Sequence, residues 1–165
     1  MIQAVCKRSD ATYKPVRSVL TGVAPSHVLV PLDGSPLADE ALEHALETYD
    51  CRITVLNVVT PLDADMSEGG IVEPGDDRLA AARERADRLL DRSRRTAAEV
   101  DRTVETAVET GDPAETILEY VRQNDVDHVV MGGHGGDRGA VARRLLGTVA
   151  TAVVGDAPVS VTVVR

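Results

Sequence analysis

Between Met131 and Ala150 the sequence runs MGGHGGDRGAVARRLLGTVA, with six glycines in twenty positions and five of them between Gly132 and Gly139. Glycine lets a backbone approach a ligand closely and present successive N–H groups, and a helix that follows adds the positive end of its dipole. The chemistry such a stretch offers is therefore the binding of an anion, a phosphate above all. A second candidate is the carboxylate of Asp33 in VPLDGS, at the end of an apolar run. In open parallel sheets, ligands sit beyond the carboxyl ends of the strands where the winding reverses. If the first strand pairs with the fourth at that reversal, PLDGS and MGGHGG open into one crevice. On glycine content alone, a turn without a ligand accounts for the stretch as well as a phosphate site does.

Two better known phosphate loops are excluded. A P-loop needs lysine and the last lysine is Lys14; a Rossmann fingerprint follows the first strand, and here Gly133-His134-Gly135 leads to Arg138 where the third glycine belongs. His134 has no second His or Cys near it in sequence, which favours a loop residue bonded to backbone over a metal ligand or base. No general base, phosphate-side lysine or carboxylate pair with metal spacing is evident, which argues against a hydrolase or nucleotidyl transferase. Plain structural roles stand beside the chemical ones. Asp33 could start an Asp-Gly turn, and Thr148 could be a helix-interior threonine bonding back to a carbonyl. Arg138, Arg143 and Arg144 could neutralise phosphate or be solvated charges, and Met131 and Val58 suit a core.

These residues must be held by an aliphatic framework. The chain has 165 residues, 43% of them hydrophobic, with no Phe or Trp and three Tyr, so one domain with a Val-rich core is expected. Net charge is −9. Residues 1–26 carry +3, which leaves −12 on the other 139 residues, whose fourteen basic side chains are all Arg. An acidic surface repels nucleic acid and anionic lipid, so neither is expected as a partner. A lysine-free acidic surface suits a cytosol of molar salt; a GC-rich genome writing Arg for Lys gives the same composition. Cys6 and Cys51 lie far apart without metal or disulfide spacing, as reduced thiols of a cytoplasmic protein would. No run reads as a signal peptide or a membrane span.

Along the chain, residues 1–26 form a basic extension, expected to be mobile, and the domain proper occupies 27–165. HVLVPLD (27–33) reads as a buried strand, then Ser35 as N-cap and Pro36 as first residue of a helix with Ala38, Ala41, Leu42, Ala45, Leu46 and Tyr49 on one stripe. CRITVLNVVT (51–60) is a second strand, 61–75 a long loop, and 76–99 an amphipathic helix. RTVETAVE (102–109) suits an edge strand, Asp112-Pro113-Ala114-Glu115 starts a helix running to about Gln123, and VDHVVM (126–131) is a fourth strand. VARRLLGTVATAVV has helical period, and PVSVTVV (158–164) is a fifth strand. Five short strands alternating with helices predict a doubly wound, mostly parallel sheet.

The segments HVLVPLDGSPLADEALEHAL, VETGDPAETILEYV, VDHVVMGGHG and LLGTVATAVV…PVSVTVV resemble the universal stress protein family, collinearly over about residues 27–165. The resemblance implies the strand order 3-2-1-4-5 of the adenine nucleotide alpha hydrolase-like, Rossmann-like folds. Its ATP-binding branch carries Gly-x2-Gly-x9-Gly-Ser/Thr. Gly132 and Gly135 match the first half and Gly147-Thr148 the last, with eleven residues rather than nine between Gly135 and Gly147.

Carried over, Pro31, Leu32 and Asp33 would edge an adenine and ribose pocket, Asp33 accepting a hydrogen bond from adenine, and Val58 would meet the base through its main chain. Met131, Gly132 and Gly135 would meet ribose and phosphates, and Gly147, Thr148 and Val149 would close over the outer phosphates. The resemblance further implies ATP with Mg²⁺ or Mn²⁺, at most slow hydrolysis, and a homodimer joined through the final strand, acting as a stress-response regulator. The alternative is a ligand-free interaction module whose longer glycine loop has lost the nucleotide.

Overall fold

The computed structural model describes residues 24–60, 76–133 and 146–165. Strand β1, His27–Pro31, is the apolar run of the sequence, and it ends at a proline, which has no N–H for a ladder. Gly34 takes φ +82°, the left-handed conformation that turns the chain. Helix α1, Pro36–Thr48, then starts on the expected chemistry, with the Ser35 hydroxyl accepting from Ala38 N and Pro36 in the first turn. Strand β2 is Arg52–Val59 and helix α2 Asp76–Glu99. Strand β3 is Glu105–Thr110 and helix α3 Pro113–Gln123, capped by Asp112, whose carboxylate accepts from Ala114 N and Glu115 N. Strand β4, His128–Gly132, helix α4, Thr148–Asp156, and strand β5, Ser160–Val164, complete the order.

The five strands form one parallel sheet in the order β3-β2-β1-β4-β5. Alternate residues of each strand face opposite sides. Val28, Val30, Ile53, Val55 and Val130 pack under α1 and α2, while Leu29, Leu56, Val129 and Met131 pack under α3 and α4. Helices therefore cover both faces, as right-handed crossovers require. Winding reverses between β1 and β4, which are paired neighbours.

The strands are a little shorter than expected, β1 ending at Pro31 rather than 33, β2 running from Arg52 to Val59 rather than 51–60 and β5 beginning at Ser160 rather than 158. Three further starts differ. β3 begins at Glu105 rather than 102 because Arg102 is engaged elsewhere, its guanidinium donating to the carbonyls of Leu46 at 3.0 Å, Tyr49 at 2.8 Å and Cys51 at 3.3 Å. β4 begins at His128, after Asp127 has taken the Ser26 and His27 amides on its carboxylate. The helical period read from residue 141 onward does not place the start of α4. Gly147 is its N-cap, in extended conformation at φ −64° and ψ 164°. Of the expected extension, residues 1–23 lie outside the described residues, as does the loop 61–75. No helix of the described residues is long and apolar enough to cross a membrane.

Candidate functional site

The strand lengths create a crevice. β1 pairs with β2 up to Pro31 opposite Leu56, whereas β2 continues to Val59. Leu32 N donates to Leu56 O at 2.8 Å on the β1 side, and Val59 O accepts from Gly111 N at 3.1 Å on the β3 side. Backbone groups alternate in direction along a strand, so the N–H and C=O of Val58 turn toward the β1 side, past the point where β1 has ended.

Beyond these ends lies a cavity of about 570 Å³, within the ~300–1,000 Å³ usual for small-molecule sites. Pro31, Leu32, Asp33, Val58, Met131, Gly132, Gly147, Thr148 and Val149 all line it. Nine of the ten residues singled out from the sequence are thus brought together; the tenth, Gly135, lies outside the described residues, as does His134. The sequence reading missed Leu56, Ile117 and Ala150, which supply apolar wall, and Ser35, Ala38, Pro113 and Leu146. Strand alternation was the available signal for Leu56, since it shares a face with Val58.

Asp33 takes the turn role considered for it and also borders the cavity. Its Oδ1 accepts from Ser35 N at 2.9 Å, which builds the turn, and the exposed carboxylate stands at the cavity. Among the described lining residues it is the one charged side chain. Gly132 is glycine because α1 passes close by: a Cβ there would stand 2.8 Å from the Leu37 carbonyl carbon and 3.0 Å from Ala38 N. Gly133 does not offer a bare amide. Its N–H donates to Val164 O at 2.8 Å, and its carbonyl accepts from Gly147 N at 2.7 Å.

The amides facing the cavity come instead from α4. α1 and α3 carry side-chain caps, but the Gly147 cap offers none. The first amide bonded back in α4 is Thr151 N, to Gly147 O at 2.9 Å. The N–H groups of Thr148, Val149 and Ala150 belong to the turn that has no intrahelical acceptor, and all three residues line the cavity. With the dipole aligned behind them, they form an end of the kind suited to an anion. Thr148 is the first residue of the helix, so the helix-interior role considered for it, with a bond back to the preceding turn, does not apply. Among the described residues no group of three His, Cys, Asp or Glu gathers to hold a metal ion.

Geometry and comparison agree on the kinship. Among solved structures the chain is similar to the universal stress protein UspA from Lactobacillus plantarum, with 26% identity and a TM-score of 0.68 over 85% of this chain and 97% of that one. It shares its fold with a universal stress protein family protein from Arabidopsis thaliana with AMP bound (23% identity, TM-score 0.61, 85% and 91% covered). A universal stress protein in complex with cAMP is also similar (21%, 0.57, 86% and 98%). No curated protein sequence matches. The model of the universal stress protein family matches residues 25–165, and the chain belongs to that family.

Proposed function

We propose that the chain is an adenine-nucleotide-binding universal stress protein, a dimeric regulator that holds ATP with Mg²⁺ or Mn²⁺ rather than turning it over rapidly. One observation carries the proposal: a strand-end carboxylate, Asp33, and the first turn of α4, without a side-chain cap, both open on one largely apolar cavity. A flat apolar base fits between Leu56, Ile117 and Met131. Asp33, an acceptor, suits the exocyclic amine of adenine, and the α4 amides suit phosphate. The AMP and cAMP bound by proteins of the same fold support the ligand class. A divalent cation fits as a companion of the phosphates, held mainly by their oxygens, since Asp33 alone among the described lining residues could offer a carboxylate.

The dimer is assigned to β5. It is an edge strand whose Val161 and Val163 pack on the core while staying partly exposed, and Val154 of the neighbouring α4 is 46% exposed. An apolar free edge of this kind invites pairing.

The test is to purify the protein, look for adenine absorbance in the acid-extracted supernatant, and titrate the stripped protein with ATP, AMP and cAMP, each with and without Mg²⁺. Saturable heat with at least one adenine nucleotide supports the proposal. No bound adenine, no heat and no thermal shift would replace it with the ligand-free module. Light scattering at micromolar concentration in high salt tests the dimer, against which a monomeric mass would count.

A further inference from the structure

The structure assigns Asn57 as a positioning residue that sets how the cavity reads the edge of its ligand's base, an inference that rests on the nucleotide proposal above. The Asn57 amide donates from Nδ2 to Leu32 O at 2.6 Å, and Leu32 N donates to Leu56 O at 2.8 Å. Leu32 is buried, 3% exposed, and both its backbone groups are thereby fixed to β2. The next residue is Asp33, whose carboxylate is oriented in turn by Ser35 N. The next residue after Asn57 is Val58, whose main-chain N–H and C=O face the same crevice. One side-chain hydrogen bond therefore ties together the two segments that present an acceptor-only carboxylate and a backbone donor and acceptor.

Asn57 does not line the cavity. Its side chain lies on the α1/α2 face of β2, with Ile53 and Val55, opposite Leu56 and Val58. It touches the Leu32 carbonyl rather than any ligand, so its effect must pass through the spacing between Asp33 and Val58. A base edge is discriminated by where donors and acceptors stand relative to one another, and a loosened rim would still take a flat ring while losing its preference for one pattern of polar atoms.

The experiment compares ATP with ITP, in which a 6-oxo acceptor replaces the 6-amino donor, by calorimetry with Mg²⁺ on wild type, Asn57→Asp and Asn57→Leu. Asp keeps the shape but has no N–H and repels the Leu32 carbonyl; Leu keeps the volume without polarity, and either variant suffices should the other fail to fold. Wild type is expected to prefer ATP by about tenfold or more, and the variants to bring that ratio below about threefold, mainly by losing ATP affinity. A uniform loss for both nucleotides at an unchanged ratio would mean a packing role and overturn the assignment, as would a wild type without preference. A wild type that binds neither nucleotide overturns the nucleotide proposal itself, whereas preserved discrimination in both variants overturns only the role of Asn57.

Discussion

The carboxylate of Asp33 accepts the main-chain N–H of Ser35 at 2.9 Å, so the group best placed to meet a ligand is also part of the turn that starts α1. Alanine at this position would disturb both at once. Asparagine in its place keeps an oxygen for Ser35 N while removing the charge and substituting a donor for the second oxygen. Asp33→Asn is therefore expected to weaken ATP binding by at least ~1.4 kcal/mol, a tenfold loss, with little change in melting temperature. Calorimetry and a thermal melt on the same sample check it; unchanged affinity would remove Asp33 from the site.

Gly132 makes a separate demand on the fold. Gly132→Ala would press a methyl group against the Leu37 backbone at 2.8 Å, and backbone in the first turn of a helix yields poorly. The expected cost is about 1–3 kcal/mol in urea unfolding. A midpoint equal to wild type would show that α1 can shift.

Acid should weaken the protein through His128. Burial holds its imidazole below the ordinary 6.5, with Asp127 opposing the shift and His44 adding to it. The hydroxyls of Tyr49, at 3.0 Å, and Thr162, at 2.9 Å, both meet its Nε2. On acidification the unfolded chain takes the proton first, so this contribution is whole above about 6.5 and is lost as pH falls through the lower folded value. Melting temperature is expected to fall between about pH 7 and pH 5, and less steeply for His128→Asn. Identical slopes would place the titration elsewhere.

Salt should act in the opposite direction. Residues 27–165 carry −12, and their self-repulsion is screened as the Debye length falls from about 10 Å at 0.1 M to about 3 Å at 1 M salt. We expect the melting temperature to rise with KCl into the molar range, as an adaptation to a saline cytosol requires. A flat or falling curve leaves genome composition as the reason for the missing lysines.

What the sequence disclosed divides along physical lines. The starts of α1 and α3 were legible because Ser35-Pro36 and Asp112-Pro113 act on amides two or three residues away. The parallel sheet was legible from short Val-rich runs set between helices, and its order came with the family resemblance. The start of α4 was not, since a glycine N-cap leaves no side-chain signal and the apolar period runs on through it. Asn57 was passed over because its partner, Leu32 O, is 25 positions away and depends on the β1–β2 register. The glycines were read as a source of free amides, whereas Gly132 is set by the approach of Leu37, the Gly147 N–H is bonded to the Gly133 carbonyl, and the Gly133 N–H is bonded to β5.

The clamp that Arg102 makes on three carbonyls belongs to a wider asymmetry. At the amino ends of the strands, Asp127 holds Ser26 and His27, His27 bridges Asn124 O and Thr54, and Arg52 forms a bidentate pair with Glu105. The carboxyl ends instead border the cavity, with fewer such side-chain ties among the described residues. The sheet is thus expected to behave like a book bound along one margin, loosening first at the open side while the spine holds. Local opening around Asp33 and α4 should then be separable from global unfolding, with amide exchange fastest at the cavity rim and slowest near His27 and Thr54.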